Sequence, residues 1–210
     1  MTGKDSVSGH IDDTWRKFTD SDLPQVLQAA LDCFVEQGYH GTSVRTVAAR
    51  AGLSVPGLYY HYDSKRSLLV ALVQAAMQDL RNRSEAALAQ AGPSVGDQFE
   101  ALIECLTLYH AHRRALAFIA SSEIRSLRGA ALASHIAARD YQQRQLDDIV
   151  LRGVAEGVFA TQYPREASRA IVTMCTGVSQ WYRKGGELSA EELAHRYVAI
   201  SQSTVGMTIR

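Results

Sequence analysis

Apolar residues recur at intervals of three and four from Val26 to the end of the chain, and nowhere do they alternate with polar ones as a half-buried strand requires. That period restricts the fold to helices packed on helices. In DLPQVLQAALDCFVEQG the stripe is Val26, Leu27, Ala30, Leu31, Phe34 and Val35, with Ser21 or Asp22 as cap, Pro24 in the first turn and Gly38 as stop. TSVRTVAARAG carries Val44, Val47, Ala48 and Ala51, is started by Thr42 or Ser43 and is closed by Gly52. Ser54 can cap a third short helix through VPGLYYHY, where Pro56 is harmless because first-turn N–H groups have no intrahelical acceptor. Asp63 and Ser64 end it and cap a long helix from Lys65, striped by Leu68, Leu69, Leu72, Val73, Ala76 and Leu80. After AGPSVG, helices are expected over 95–112, 113–127, 129–158, 164–184 and 190–207.

The expected architecture is therefore all-α, with about nine helices: a three-helix N-terminal unit over 21–66 and a larger helical domain over 67–210. Residues 1–20 mix charges of both signs with Ser, Gly and Thr, show no period, and read as a flexible arm. A chain of 210 residues can hold one ordinary core, or a small module joined to a larger domain. Hydrophobic residues make up 46% of it, yet no run approaches the roughly 18 that a membrane span needs. The N-terminus has no apolar signal region, so a soluble cytoplasmic protein is expected. Cys33, Cys105 and Cys175 lie far apart in apolar helical patterns and read as core thiols, with no metal or cofactor implied.

The formal net charge is zero, so whole-chain charge gives no argument for nucleic acid. Between His40 and Arg66, however, Arg45, Arg50, Lys65 and Arg66 face Asp63 alone. Here two short helices meet at Ala51-Gly52-Leu53 behind an amphipathic brace, the outline of a helix-turn-helix. Such a motif lays its second helix in the major groove of double-stranded DNA. In VPGLYYHY the bare backbone at Gly57 permits close approach, Tyr59, Tyr60 and His61 can meet bases or phosphates, and Lys65 adds a charge. The same rings could be core, but adjacent residues on a helix cannot all point inward, and Leu58 is the natural core member.

The stretch GYHGTSVRTVAARAGLSVPGLYYHYDSKRSLL resembles the DNA-binding region of TetR-family transcriptional repressors nearly position by position. The match runs through Gly38, Gly41-Thr42-Ser43, Ala48, Ala51-Gly52, Ser54, Leu58-Tyr59, His61 and Lys65. Pro56-Gly57 replaces the more common Gly followed by Ser or Thr, Tyr62 a Phe, and Val47 an Ile. The resemblance implies a DNA-contacting set of Thr42, Ser43, Arg45, Ser54, Val55, Gly57, Tyr59, Tyr60, His61 and Lys65. Ser43, His61 and Lys65 would lie on the backbone and Val55, Gly57, Tyr59 and Tyr60 nearest the bases. Arg45 would reach a base edge, with a plain solvated arginine as the alternative. It also implies a homodimer joined through the last two helices, a palindromic operator, and a small-molecule inducer.

ARDYQQRQLDDIVLRGVAEGVF and VSQWYRKGGELSAEELAHRYVAI further resemble a subgroup whose ligands are CoA thioesters, regulators of fatty-acid and sterol-ring degradation. Arg139, Tyr141, Gln143, Arg144, Gly153, Gly157, Trp181-Tyr182-Arg183 and Gly185-Gly186 carry that likeness. It implies an acyl tunnel, for which Phe99, Ile103, Leu106, Tyr109, Phe118 and Trp181 are candidates, and a basic mouth drawn from Arg113, Arg114, Arg125, Arg139 and Arg144. Ordinary core and surface ion pairs are the competing reading. Glu104 and Glu123 offer an alternative in which a lipophilic cation is sensed and an efflux gene regulated. From a different class, a helical enzyme or adaptor is disfavoured: His110 and His112 sit about 200° apart on a helix and cannot share a metal, and there is no HExxH or phosphate loop.

Overall fold

The fold, a computed structural model, describes residues 13–19 and 23–207. Among them are nine α-helices and no strand: α1 Gln25–Gln37, α2 Val44–Arg50, α3 Val55–His61, α4 Lys65–Ala91, α5 Val95–His112, α6 Arg114–Ser122, α7 Gly129–Ala155, α8 Pro164–Trp181 and α9 Ala190–Val205. No helix of these is long and apolar enough to cross a membrane. The caps read from sequence are formed where serines occupy them: Ser43 Oγ accepts from Thr46 N–H, Ser54 Oγ from Gly57 N–H, and Ser64 and Ser67 form a reciprocal capping box at the head of α4. The cap expected at Ser21 or Asp22 lies outside the described residues, and α1 instead begins after Pro24 without a side-chain cap. The helix expected over 113–127 is shorter, since α6 gives way at Glu123 to a 3-10 turn ending at Ser126.

Two cores form. One gathers α1, α2, α3, the first half of α4 through Ala76, and Leu116, Ile119, Ala120 and Leu127 from α6 and beyond. The other gathers Leu80 and Ala87 of α4 with α5, α7, α8 and α9. α4 runs unbroken through both cores, across the boundary expected between 66 and 67, and α6 returns from the larger domain to pack on the smaller. In the helix-turn-helix corner, Leu53 N–H bonds the Ala48 carbonyl at 2.9 Å, and Gly52 takes φ +70°, a conformation costly for any side chain.

The N-terminal arm is corrected in part. Residues 1–12 and 20 are outside the description, but residues 13–19 are fastened to the larger domain. Trp15 is 1% exposed and belongs to that domain's core. Arg16 forks onto Glu104 at 2.6 and 2.8 Å, Arg83 donates to the Trp15 and Lys17 carbonyls at 2.9 and 3.0 Å, and Arg113 donates to the Thr19 carbonyl at 2.9 Å. Phe18 stacks on His112 with ring centroids 4.4 Å apart. Such aromatic burial outweighs the segment's polar composition.

Gly153 owes its identity to packing. A methyl there would lie 2.1 Å from Phe159 Cδ2, and the Phe159 ring is itself buried 4.9 Å from Phe99. Gly153→Ala is expected to cost about 1–3 kcal/mol through overpacking, read as a lower urea midpoint at unchanged slope.

Candidate DNA-binding surface and ligand cavity

On α3, Leu58 is wholly buried, Val55 is half-buried against the smaller core, and Tyr59, Tyr60 and His61 are exposed. Tyr60 is 87% exposed, with the His61 ring edge-on at 5.3 Å. An 87% exposed tyrosine serves no core, so its ring is available to a partner. Ser43, Arg45 and Ser54 are likewise exposed, and Arg45 has no ion pair among the described residues, whereas Arg50 is bound to Glu36 at 2.6 Å. That hydrogen bond holds the Glu36 carboxyl below its usual range. Gly57 is tight on one side, since a methyl would sit 3.2 Å from the Ser54 cap oxygen.

Two expected DNA contacts are otherwise engaged. Thr42 is buried, its hydroxyl held between the Cys33 and Gly38 carbonyls at 3.0 and 2.8 Å. Lys65 turns inward: its ammonium donates to the Tyr39, His40 and Thr42 carbonyls at 2.8, 3.3 and 2.7 Å and lies over the Tyr39 ring. Both residues fix the turn ahead of α2 without facing outward.

In the larger domain a cavity of about 730 Å³ lies among α4, α5, α6, α7 and α8. Ala76, Leu80, Leu106, Ala117 and Val172 give it apolar walls, and His110, Arg139, Asp140, Gln143 and Arg169 give it polar ones. Of the residues expected there, Leu106, Tyr109 and Arg139 line it. Tyr109 contributes ring surface only, because its hydroxyl donates to the Ala76 carbonyl at 2.8 Å. The others do not line this cavity. Phe99 and Ile103 are fully buried core on the same helix but turned away from the cavity; Phe118 and Trp181 are on the outer surface, 38% and 51% exposed. Arg113 is held by Asp79 and the Thr19 carbonyl. Arg144 lines a different hollow, between α4 and α7. Glu104 is taken by Arg16 and Glu123 accepts from Ser126, so neither carboxylate offered to a lipophilic cation reaches the cavity.

The lining residues missed were polar: His135, Gln142 and Gln143 on α7, and Arg169, Thr173, Thr176 and Gln180 on α8. Their three- and four-residue spacing was the available signal, though an outward-facing polar stripe has the same spacing.

A profile described as "Bacterial regulatory proteins, tetR family" matches residues 26–72, and one described as "Tetracyclin repressor-like, C-terminal domain" matches residues 92–205, more than half of the chain. The chain belongs to the TetR family. This TetR-family protein is 30% identical to the HTH-type transcriptional repressor KstR2 of Mycobacterium tuberculosis strain H37Rv over 181 residues, 84% of this chain and 88% of that one. Among solved structures it resembles the TetR-family regulator PfmR from Thermus thermophilus, with TM-score 0.79, 29% identity, and 89% and 100% of the two chains covered. It shares the fold of AibR, solved in complex with isovaleryl coenzyme A and operator DNA, with TM-score 0.75, 22% identity, and 83% and 95% coverage. TetR-family membership makes the chain a helix-turn-helix transcriptional regulator and sets aside the enzyme, and the likeness to KstR2 supports repression.

Burial also marks the domain's titration. His110 donates through Nδ1–H to the Leu106 carbonyl, 2.7 Å away, and desolvation pushes its pKa down to about 4. The Cys105 and Cys175 thiols are pushed up to about 12 by burial. A histidine depressed in the fold is protonated first in the unfolded chain. Stability is therefore expected to hold above about pH 6.5 and to fall as pH drops from there toward 4, with His112 and His135, also lowered by burial, adding to the slope. Urea midpoints across that range check it.

Proposed function

We propose that this TetR-family protein is a ligand-gated repressor that binds a palindromic operator as a homodimer and is released by an acyl-CoA-type ligand. The observation that carries the reading is that the helices walling the cavity are those that hold the DNA-binding unit. α4 lines the cavity at Ala76 and Leu80 while its first half belongs to the smaller core. α6 puts Ala117 and Ser121 on the cavity and Leu116 and Ile119 into that core. A ligand that moves either helix moves α3.

Apolar walls with arginines at the margin suit an acyl chain joined to phosphates. AibR, which shares this fold, was solved with isovaleryl coenzyme A and operator DNA, and the ketosteroid regulator KstR2 is a relative in sequence. For dimerisation, α8 and α9 expose Trp181 and Ile200 and also the small residues Ala170 and Ala199. Helices exposing both large apolar and small side chains suit a self-complementary helical interface. Arg45, Val55, Gly57, Tyr59 and Tyr60 then lie nearest the operator's bases, with Ser43, Ser54 and His61 toward its backbone.

Two measurements test this. Because both ligands act on one equilibrium, saturating operator should weaken octanoyl-CoA by the same factor that octanoyl-CoA weakens operator; octanoyl-CoA binding indifferent to operator defeats the gating. In a selection from random duplexes, Tyr60→Ala should lose affinity on every sequence, whereas Arg45→Ala should relax preference at one base pair by about 1–3 kcal/mol. Unchanged preference removes Arg45 from the readers.

A further inference from the structure

A second hollow, about 750 Å³, lies between α4 and α7, with Gln74, Gln78, Arg81, Tyr141 and Arg144 on its walls. It shares Met77, His135 and Gln142 with the cavity described above. His135 is 4% exposed and neither of its ring nitrogens has a hydrogen-bond partner. Its buried polar neighbours are all satisfied: His110 by the Leu106 carbonyl, Tyr109 by the Ala76 carbonyl, and Gln142 by Ser84 at 3.1 Å. Leaving a buried donor and acceptor unmet is costly, and such groups in native folds call for a missing partner.

We infer that the two hollows are one site parted by His135, whose imidazole hydrogen-bonds the uncharged polar linker of an elongated ligand seated with one end in each. This rests on the reading that the α4–α8 cavity is the ligand site, and it adds which way the ligand runs and what His135 selects. The inner end has an apolar wall of Leu80, Leu106, Ala117 and Val172 opposite the polar side chains of α7 and α8. The outer end carries Arg144, exposed and without an ion pair among the described residues, and Arg81, which is paired with Glu85. Burial and the nearby Arg139 charge disfavour protonation of the ring. A neutral imidazole presents one donor and one acceptor, which complements an amide or hydroxyl and has no second donor for a carboxylate. The ligand class is thus an acyl chain joined through an amide-bearing linker to an anionic head, with the head at Arg144 and the acyl end among the alanines and leucines. A free fatty acid lacks the part that His135 reads.

Calorimetric titration of octanoyl-CoA, octanoyl-pantetheine and octanoate tests this against His135→Leu, His135→Gln, Arg144→Ser and, as a cavity-filling control, Val172→Trp. His135→Leu should weaken octanoyl-CoA and octanoyl-pantetheine about tenfold, as expected for one buried hydrogen-bonding group, while His135→Gln, which keeps a donor and an acceptor, stays within about threefold. Arg144→Ser should weaken octanoyl-CoA and leave the phosphate-free octanoyl-pantetheine unchanged. Without ligand, His135→Leu should melt no lower than the parent protein, since it removes two unmet polar atoms; a ring kept for structure would melt lower. His135→Leu binding like the parent, or melting lower, overturns the inference. If that happens while Val172→Trp abolishes binding, the cavity remains the ligand site and only the role of His135 falls. If the parent binds none of the three probes, the proposed ligand class falls and the inference with it.

Discussion

Trp15→Ala is expected to remove about 3–5 kcal/mol of stability, the range for truncating a buried aromatic to alanine. The indole is 1% exposed in the larger core, its N–H donates to the Gln90 side chain, and the Arg16 guanidinium covers its face at 3.8 Å. Folded domains are stable by only about 5–15 kcal/mol, so a loss of that size lowers the urea midpoint severely. A flexible arm predicts instead a change within about 0.5 kcal/mol, as for surface substitutions. Midpoints for the parent and Trp15→Ala decide between them.

Lys65→Met carries the second large effect, about 2–4 kcal/mol of stability together with loss of operator affinity. An ammonium has three donors, and here all three reach backbone carbonyls between α1 and α2. Bonds from a charged donor are among the stronger ones, and methionine leaves those carbonyls unmet. The distinguishing measurement is salt dependence. A lysine on phosphate would reduce the slope of log affinity against log salt by about 1 when removed. With Lys65 spent on Tyr39, His40 and Thr42, the slope is expected to stay as in the parent while affinity falls at every salt concentration.

The DNA-binding unit was legible in sequence because its signals are local. Ser43, Ser54 and Ser64 each cap a helix within three residues of themselves, and Gly52 marks the turn by its own backbone. The cavity was less legible because its lining is set by rotation about helix axes. On α5, Leu106 and Tyr109 face it, while Phe99 and Ile103, equally apolar, are turned into the core. Arginines were harder still. Arg113 looks free in the chain, yet its partner Asp79 lies 34 residues away, and only the packing of α4 beside α5 brings them together. Trp15 stood alone among charged residues, without the repeated spacing that announces a buried face, so its burial was visible only in three dimensions.

The fastening of residues 13–19 has a mechanical consequence. From Thr19, bonded through its carbonyl to Arg113, to Leu23 at the edge of the smaller core there are four peptide links, no more than about 14 Å of chain. The DNA-reading unit is thus pinned to the larger domain at its leading end by this short leash and at its trailing end by the continuous shaft of α4. A body hung from two pins swings about the line that joins them and resists twisting across it. Under the proposed gating, the reading head then turns as a door on its frame, along one arc and against α6, which packs on it.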